Sequence, residues 1–152
     1  MVKIGVISDT HAGELSEIAA TLQSVLRGVD LIIHAGDITR KHVLDGLESL
    51  GQVKAVAGNM DSGELKMLLP QKESFFVAGR KIGLTHGSGA PWGIEERVRD
   101  MFDDEDIIVY GHSHQAHNGY VRGSLMFNPG CARDSFGIIT IEDGIDATII
   151  KI

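Results

Sequence analysis

Asp9 and His11, Asp37, Asn59, His86, and His112 with His114 are side chains able to ligate a divalent metal, and each follows a short apolar run. Residues 4–7 lead into Asp9 and His11, 31–33 into Asp37, 53–57 into Asn59, 82–84 into His86, and 107–110 into His112 and His114. One Asp-x-His or Gly-His-x-His alone carries little weight, since Asp9 or Asp37 would also serve as a helix cap. Five such elements in order need a common cause. Short β-branched runs bounded by Gly and polar residues read as buried strands, and in open α/β sheets chemistry collects beyond the carboxyl ends of strands. All seven residues are therefore expected at one edge. Two carboxylates, one amide oxygen and four imidazoles are too many for one ion but suit two ions sharing a bridging carboxylate.

The elements that must position these residues are legible from periodicity. Leu15, Ile18, Ala19, Leu22, Val25 and Leu26 fall at helical spacing, with Arg27 and Gly28 as a stop before a strand at 30–34, making a βαβ unit. A second helix over 41–50 would bury Val43, Leu44, Leu47 and Leu50, and a third over 93–102 Ile94, Val98, Met101 and Phe102. Later the pattern changes. Residues 74–78 and 81–85 flank Gly79-Arg80, a hairpin signal, and 120–122, 125–128, 137–141 and 147–152 read as antiparallel strands, with Asp143-Gly144 as a further turn. The expected fold class is α/β: a four-layer α/β/β/α sandwich of two mixed sheets flanked by helices.

Composition bounds the reading. At 152 residues, 43% hydrophobic and 23% charged, the chain suits a single domain over 1–152 with no linker or disordered segment. A net charge of −7 argues against a broad nucleic-acid surface, which needs clustered Lys and Arg. No secretory leader is evident and no apolar stretch approaches the ~20 residues of a membrane span, so a cytoplasmic location without membrane attachment is expected. Cys131 is the sole cysteine, which excludes an intramolecular disulfide and a cysteine-based zinc knuckle. Subunit association stays open, with a homo-oligomer among the alternatives.

Asp9-Thr10-His11, Gly36-Asp37, Gly58-Asn59-Met60-Asp61, His86-Gly87 and Gly111-His112-Ser113-His114 together resemble, in order, the motif set of the calcineurin-like metallophosphoesterases, and most closely their small single-domain phosphodiesterase branch. Asn128-Pro129-Gly130 is also similar to that branch, although Cys131 stands where a Ser commonly follows. The resemblance implies that Asp9, His11 and His114 hold one metal, that Asn59, His86 and His112 hold a second, and that Asp37 bridges them. Imidazole, carboxylate and amide oxygen without thiolate suit Mn, first among the candidates, or Ni, Fe, Co or Zn.

Two divalent ions bring four positive charges, Asp9 and Asp37 two negative and a bridging hydroxide a third, leaving about one positive charge in an acidic protein. A small phosphoester is the substrate that such a site attracts. The expected function is hydrolysis of a phosphodiester by in-line attack of the metal-bridging hydroxide, with Asp37, Asn59 and Asp61 as catalytic residues. In the protein-phosphatase branch a His follows the metal-binding Asn and helps protonate the leaving group; Met60 stands there and has no useful proton. That favours diesters or stabilised leaving groups over alkyl monoesters, and leaves Asp61 to orient His11 or a water. The alternatives are a phosphomonoesterase acting on a small phosphorylated metabolite and a non-catalytic metal-binding interaction scaffold of the same fold.

Of the remaining groups, His34 reads as a satisfied near-core histidine and His42 as a helix-surface residue. His117, in a loop near the site, and Arg133, with its bidentate fork, are the candidate substrate contacts. Trp92 is placed to pack the third helix, wall the pocket or meet another subunit, and Cys131 to fill a small buried space.

Overall fold

The computed structural model describes residues 1–152. β1 (Val2–Ile7) alternates its apolar side chains: Ile4 and Val6 pack between two sheets, while Ile7 packs toward helices. The helix expected over 15–26 is divided into a 3-10 turn at Leu15–Glu17 and α1 (Ala20–Arg27). Ile18 and Ala19 between them take extended ψ values of 134 and 135°. The Gln23 amide donates to the Leu15 and Ile18 carbonyls at 3.0 and 2.9 Å, satisfying acceptors that a continuous helix would have paired internally.

β2 (Leu31–His34) and α2 (Lys41–Leu50) stand where periodicity places them, followed by β3 (Val53–Ala55). α3 (Gly63–Leu68) was not anticipated; its Ser62 cap accepts from the Leu65 N–H at 3.3 Å. In the hairpin of β4 (Lys72–Val77) and β5 (Arg80–Thr85) the turn residues are Ala78 and Gly79, both left-handed, so Arg80 belongs to the strand rather than the turn. α4 (Ile94–Arg99) ends three residues short of the expected limit. There the Met101 and Phe102 N–H groups donate to Val98 and Arg99, a tighter winding that turns Phe102 inward and leaves Met101, expected in the core, 41% exposed.

β6 (Ile107–Val109), β7 (His117–Val121), β8 (Ser124–Asn128), β9 (Ser135–Ile141) and β10 (Ile145–Lys151) complete the chain. One sheet has the order β10-β9-β1-β2-β3 and the other β4-β5-β6-β8-β7. Both are mixed. β1, β2 and β3 run parallel, and so do β5, β6 and β8, which corrects the expectation that the later strands are simply antiparallel. β9 and β10 leave the second half to join the first sheet, β9 pairing antiparallel with β1 and β10 antiparallel with β9.

Fourteen buried apolar residues fill the space between the sheets, among them the register partners Ile82, Ile107 and Leu125 of the second sheet and Ile4, Leu31 and Ile139 of the first. α1 and α2 cover the outer face of the first sheet through Leu22, Leu26, Val43 and Leu47, and α4 covers the second through Ile94 and Val98. The four-layer α/β/β/α sandwich is thus realised, because each strand alternates between an inter-sheet and a helix-facing side chain. No helix is long and apolar enough to cross a membrane.

Candidate metal centre

The parallel strands β1, β2 and β3 of one sheet and β5 and β6 of the other all deliver ligand-type side chains just past their carboxyl ends. The centre therefore straddles both sheets. Hydrogen bonds tie the loops together: Asp9 N–H to Gly36 O at 3.0 Å within the first sheet, Gly111 N–H to His86 O at 3.0 Å within the second, and His112 N–H to Asp9 Oδ2 at 3.3 Å between them.

Five of the seven candidate ligands have left-handed backbones: Asp9 (φ 54°), His11 (47°), Asp37 (60°), His112 (69°) and His114 (61°). For non-glycine residues this conformation costs of order 1–2 kcal/mol each, and it persists only where the surroundings hold it. Strain is concentrated where strand alternation must be broken to bring polar side chains to one edge. Two glycines permit the close approach. A Cβ on Gly58 would lie 2.2 Å from Asp37 Oδ1, and one on Gly111 would lie 2.0 Å from Ser8 Oγ and 2.8 Å from Asp9 Oδ2.

Asp9 is fully buried. Its Oδ2 accepts from Ser8 Oγ at 2.6 Å and from the His112 N–H, whereas Oδ1 has no hydrogen-bond partner. Around Oδ1 stand three imidazole nitrogens: Nε2 of His114 at 3.3 Å, of His11 at 3.9 Å and of His86 at 3.9 Å. His86 Nε2 also lies 3.3 Å from Asp37 Oδ2 and 3.0 Å from Asn59 Oδ1. Two groups of metal-competent atoms result, Asp9 with His11 and His114, and Asp9 with Asp37 and His86, meeting at Asp9.

An orphaned buried carboxylate oxygen facing several imidazoles fits a cation. The outer contacts agree. His86 Nδ1 donates to Ala35 O at 2.7 Å and His112 Nε2 to Gly89 O at 3.0 Å, which orients both rings; when each imidazole is neutral, its other ring nitrogen is the acceptor that a metal ligand must be. The His112 ring stands edge-on to His86 at 5.2 Å, and His11 edge-on to His114 at 5.4 Å.

The charges are mutually tuned. Burial works to raise the Asp37 carboxyl, but hydrogen bonding to His86 and the Met60 N–H, with the charges of His86 and His11, holds it down at about 2. Burial works to lower His86, yet Asp37 and Asp9 outweigh it and raise it above its usual value. His34 is pushed down to about 3, chiefly by burial and then by the nearby His86. It is a neutral brace: Gly36 N–H donates to its Nδ1 at 3.1 Å, and its Nε2 lies 3.2 Å from Thr10 Oγ1.

Asp61, expected to orient His11 or a water, instead turns its oxygens to backbone N–H groups. Buried at 5% exposure, it accepts the N–H groups of Gly58 at 2.7 Å and Asp37 at 3.1 Å on Oδ2, and of Thr39 at 2.6 Å on Oδ1. It binds the Asp37 loop to the Asn59 loop. Sequence reasoning assigned no role to Asn128, which donates to Gly111 O at 3.2 Å and Ser113 Oγ at 3.1 Å and so steadies the His112–His114 loop. The signal was present: another apolar run, 125–127, ending on a polar residue.

Met60 is 61% exposed at the rim. Arg133 is exposed beside Thr10, Glu17 and Ile18 in a small cleft. His117 opens β7 rather than lying in a loop, with Nδ1 3.9 Å from Glu95 Oε1. His42 is on the surface of α2. Trp92 is 79% exposed, and buried Cys131 directs Sγ to Asp9 O at 3.2 Å.

A family model described as the calcineurin-like phosphoesterase superfamily domain matches residues 2–143. A probable metallophosphoesterase of Methanocaldococcus jannaschii is 36% identical over 159 residues, spanning 98% of this chain and 81% of its own. A phosphodiesterase of the same organism is 28% identical, spanning 92% and 90%. Vps29 of Entamoeba histolytica, in a structure complexed with zinc, shares the fold with a TM-score of 0.74 at 24% identity, covering 98% of each chain.

Proposed function

From the premise that this chain belongs to the calcineurin-like phosphoesterase superfamily, and is thus a metal-dependent phosphoester hydrolase, we propose a phosphodiesterase with two divalent ions. Asp9, His11 and His114 would hold one ion and Asn59, His86 and His112 the other, with Asp37 shared between them; Asp37 Oδ1 accepts from the Met60 N–H at 2.8 Å and its Oδ2 lies 3.3 Å from His86 Nε2. The donor set suits Mn, Fe, Co, Ni or Zn. Once bound, two such ions would activate water, hold the phosphoryl oxygens and offset charge during in-line displacement.

The protein's own groups do the rest. The Ala35 and Gly89 carbonyls orient the His86 and His112 rings, and Asp61 and His34 hold the loops that carry Asp37, Asn59 and Asp9. Met60 offers no proton to a leaving group, which favours diesters and stabilised leaving groups over alkyl monoesters. Arg133, exposed next to the Asp9 loop, is the proposed contact for a phosphoryl oxygen.

The observation that carries this reading is Asp9 Oδ1, buried, unpartnered and faced by three imidazoles from both sheets. Its test is stripping the protein, reloading it separately with Mn, Ni, Fe, Co or Zn, counting bound ions, and assaying bis(para-nitrophenyl) phosphate beside phosphoserine. Two ions with faster diester cleavage are expected. Saturation at one ion overturns the dinuclear centre, faster phosphoserine cleavage selects a phosphomonoesterase, and two ions with no turnover of any phosphoester selects a scaffold.

A further inference from the structure

Beside the metal centre, on its Asn59 and His86 side, lies a cleft of about 500 Å³. Its walls come from the end of α3 (Lys66), the start of β4 (Gln71, Lys72), the end of β5 (Thr85, His86) and Ser88 in the loop beyond. Seven of its eleven lining residues carry polar side chains, among them two lysines and no carboxylate. In a chain with 21 acidic residues and a net charge of −7, that is an unusual concentration of uncompensated positive charge.

Lys41, Lys54 and Lys81 each pair with a carboxylate, whereas Lys66 and Lys72, like Lys3 and Lys151, do not; of these four, only Lys66 and Lys72 line one cleft. Lys72 is held in place without neutralisation: its ammonium donates to the Met101 carbonyl and stands 4.8 Å from the Phe102 ring centroid. Lys66 is exposed with no hydrogen-bond partner. Thr85 Oγ1 is committed to Gln71 O at 3.0 Å, which leaves the Ser88 hydroxyl and the Gln71 amide as neutral donors in the same walls.

Building on the phosphodiesterase reading, we infer that this cleft is an anion subsite for the non-reacting arm of the substrate, making the substrate class a phosphodiester that carries a second anionic group, phosphate or carboxylate. The reacting phosphoryl group lies at the metals, and the arm passes Asn59 and His86 into the cleft, where Lys66 and Lys72 meet its charge. Lys66 and Lys72 are the specificity-determining residues. Both are exposed, so each contributes a salt-sensitive increment of up to about five-fold rather than orders of magnitude.

Para-nitrophenyl phosphodiesters with one leaving group and varied second arms, namely phosphoethyl, carboxyethyl, ethyl and trimethylammonioethyl, test this on the metal-loaded enzyme. The phosphoethyl and carboxyethyl esters should exceed the ethyl ester in kcat/KM, mainly through KM, and the trimethylammonioethyl ester should fall below it. The ratio of anionic to ethyl arm should drop about five-fold in Lys66→Gln and in Lys72→Gln, and in added salt. Preference for phosphate over carboxylate identifies the arm. Equal use of ethyl and anionic arms, or a preference that survives both substitutions, overturns the subsite while leaving the phosphodiesterase reading intact. Should no diester turn over, that reading fails by itself. The subsite is then decided by titrating the metal-stripped protein with inorganic phosphate: shifts of the Ser88 and Gln71 amide resonances that vanish in Lys66→Gln support it, and their absence overturns it.

Discussion

Replacing Asp61 separates a positioning role from a proton-transfer role. Its carboxylate receives three backbone N–H groups, from Gly58, Asp37 and Thr39, in a site 5% exposed. Hydrogen bonds to a charged group contribute about 1.5–3 kcal/mol each, and an unpaired buried donor costs about 1–3 kcal/mol. Water reaching the part-buried Thr39 end offsets some of this, so Asp61→Ala is expected to destabilise by about 4 kcal/mol, a large share of the typical 5–15 kcal/mol. Asp61→Asn can keep one oxygen on Gly58 and Asp37 but turns an NH2 toward the Thr39 N–H, so about 2 kcal/mol is expected. Urea unfolding with and without chelator measures both. Because Asp61 acts through the loops of Asp37 and Asn59, both variants should also bind metal more weakly, and Asp61→Asn at saturating metal should recover most of its kcat. Loss of kcat by orders of magnitude in Asp61→Asn, at saturating metal and with unchanged unfolding, would refute the positioning argument and make Asp61 a proton carrier.

Asp37→Asn, which keeps the shape and removes the shared charge, should lose at least one metal and orders of magnitude of activity with the fold intact, whereas His42→Ala on the α2 surface should change neither; metal analysis and turnover check both. Met60→His should narrow or reverse the preference for activated diesters over phosphoserine, read as the ratio of kcat/KM values. In chelated protein His34, held at about 3 against an ordinary 6.5, contributes stability that is complete above 6.5 and is lost toward pH 3, at about 1.4 kcal/mol per unit. Asp37, held at about 2 against 3.8, adds a loss between those values as pH falls; His86, raised, contributes stability below 6.5 that disappears as pH rises through its folded value. His34 is therefore isolated as the difference between wild type and His34→Gln in the pH dependence of the urea midpoint, and parallel curves from pH about 7 to about 4.5 would contradict its buried, neutral state.

The shared edge of the seven candidate ligands was legible in the sequence, because each position depends on local pattern: an apolar run long enough for a strand, followed closely by a polar side chain. α2 is equally local, its amphipathic spacing marking residues 41–50. The helix over 15–26 was not, since the same spacing is satisfied by a turn, a break at Ile18 and a shorter helix once Gln23 takes up the freed carbonyls. α3, six residues long, carries too little periodicity to be seen.

What only the tertiary structure decided is pairing between distant segments. Period-two alternation shows that β9 and β10 are strands but not that β9 pairs with β1 and carries β10 outside it, because register and partner are set by which faces bury together. The same limit applies at the site. Residue type shows that Asp61 accepts hydrogen bonds, but its donors include Asp37 and Thr39, more than twenty positions away, so its work on the loops appears only when the chain is folded. Lys66 and Lys72 likewise form no cluster in sequence that would mark them beside His86; α3 and the first strand of the hairpin bring them to one cleft, and the absence of any carboxylate there is a property of the walls rather than of a motif.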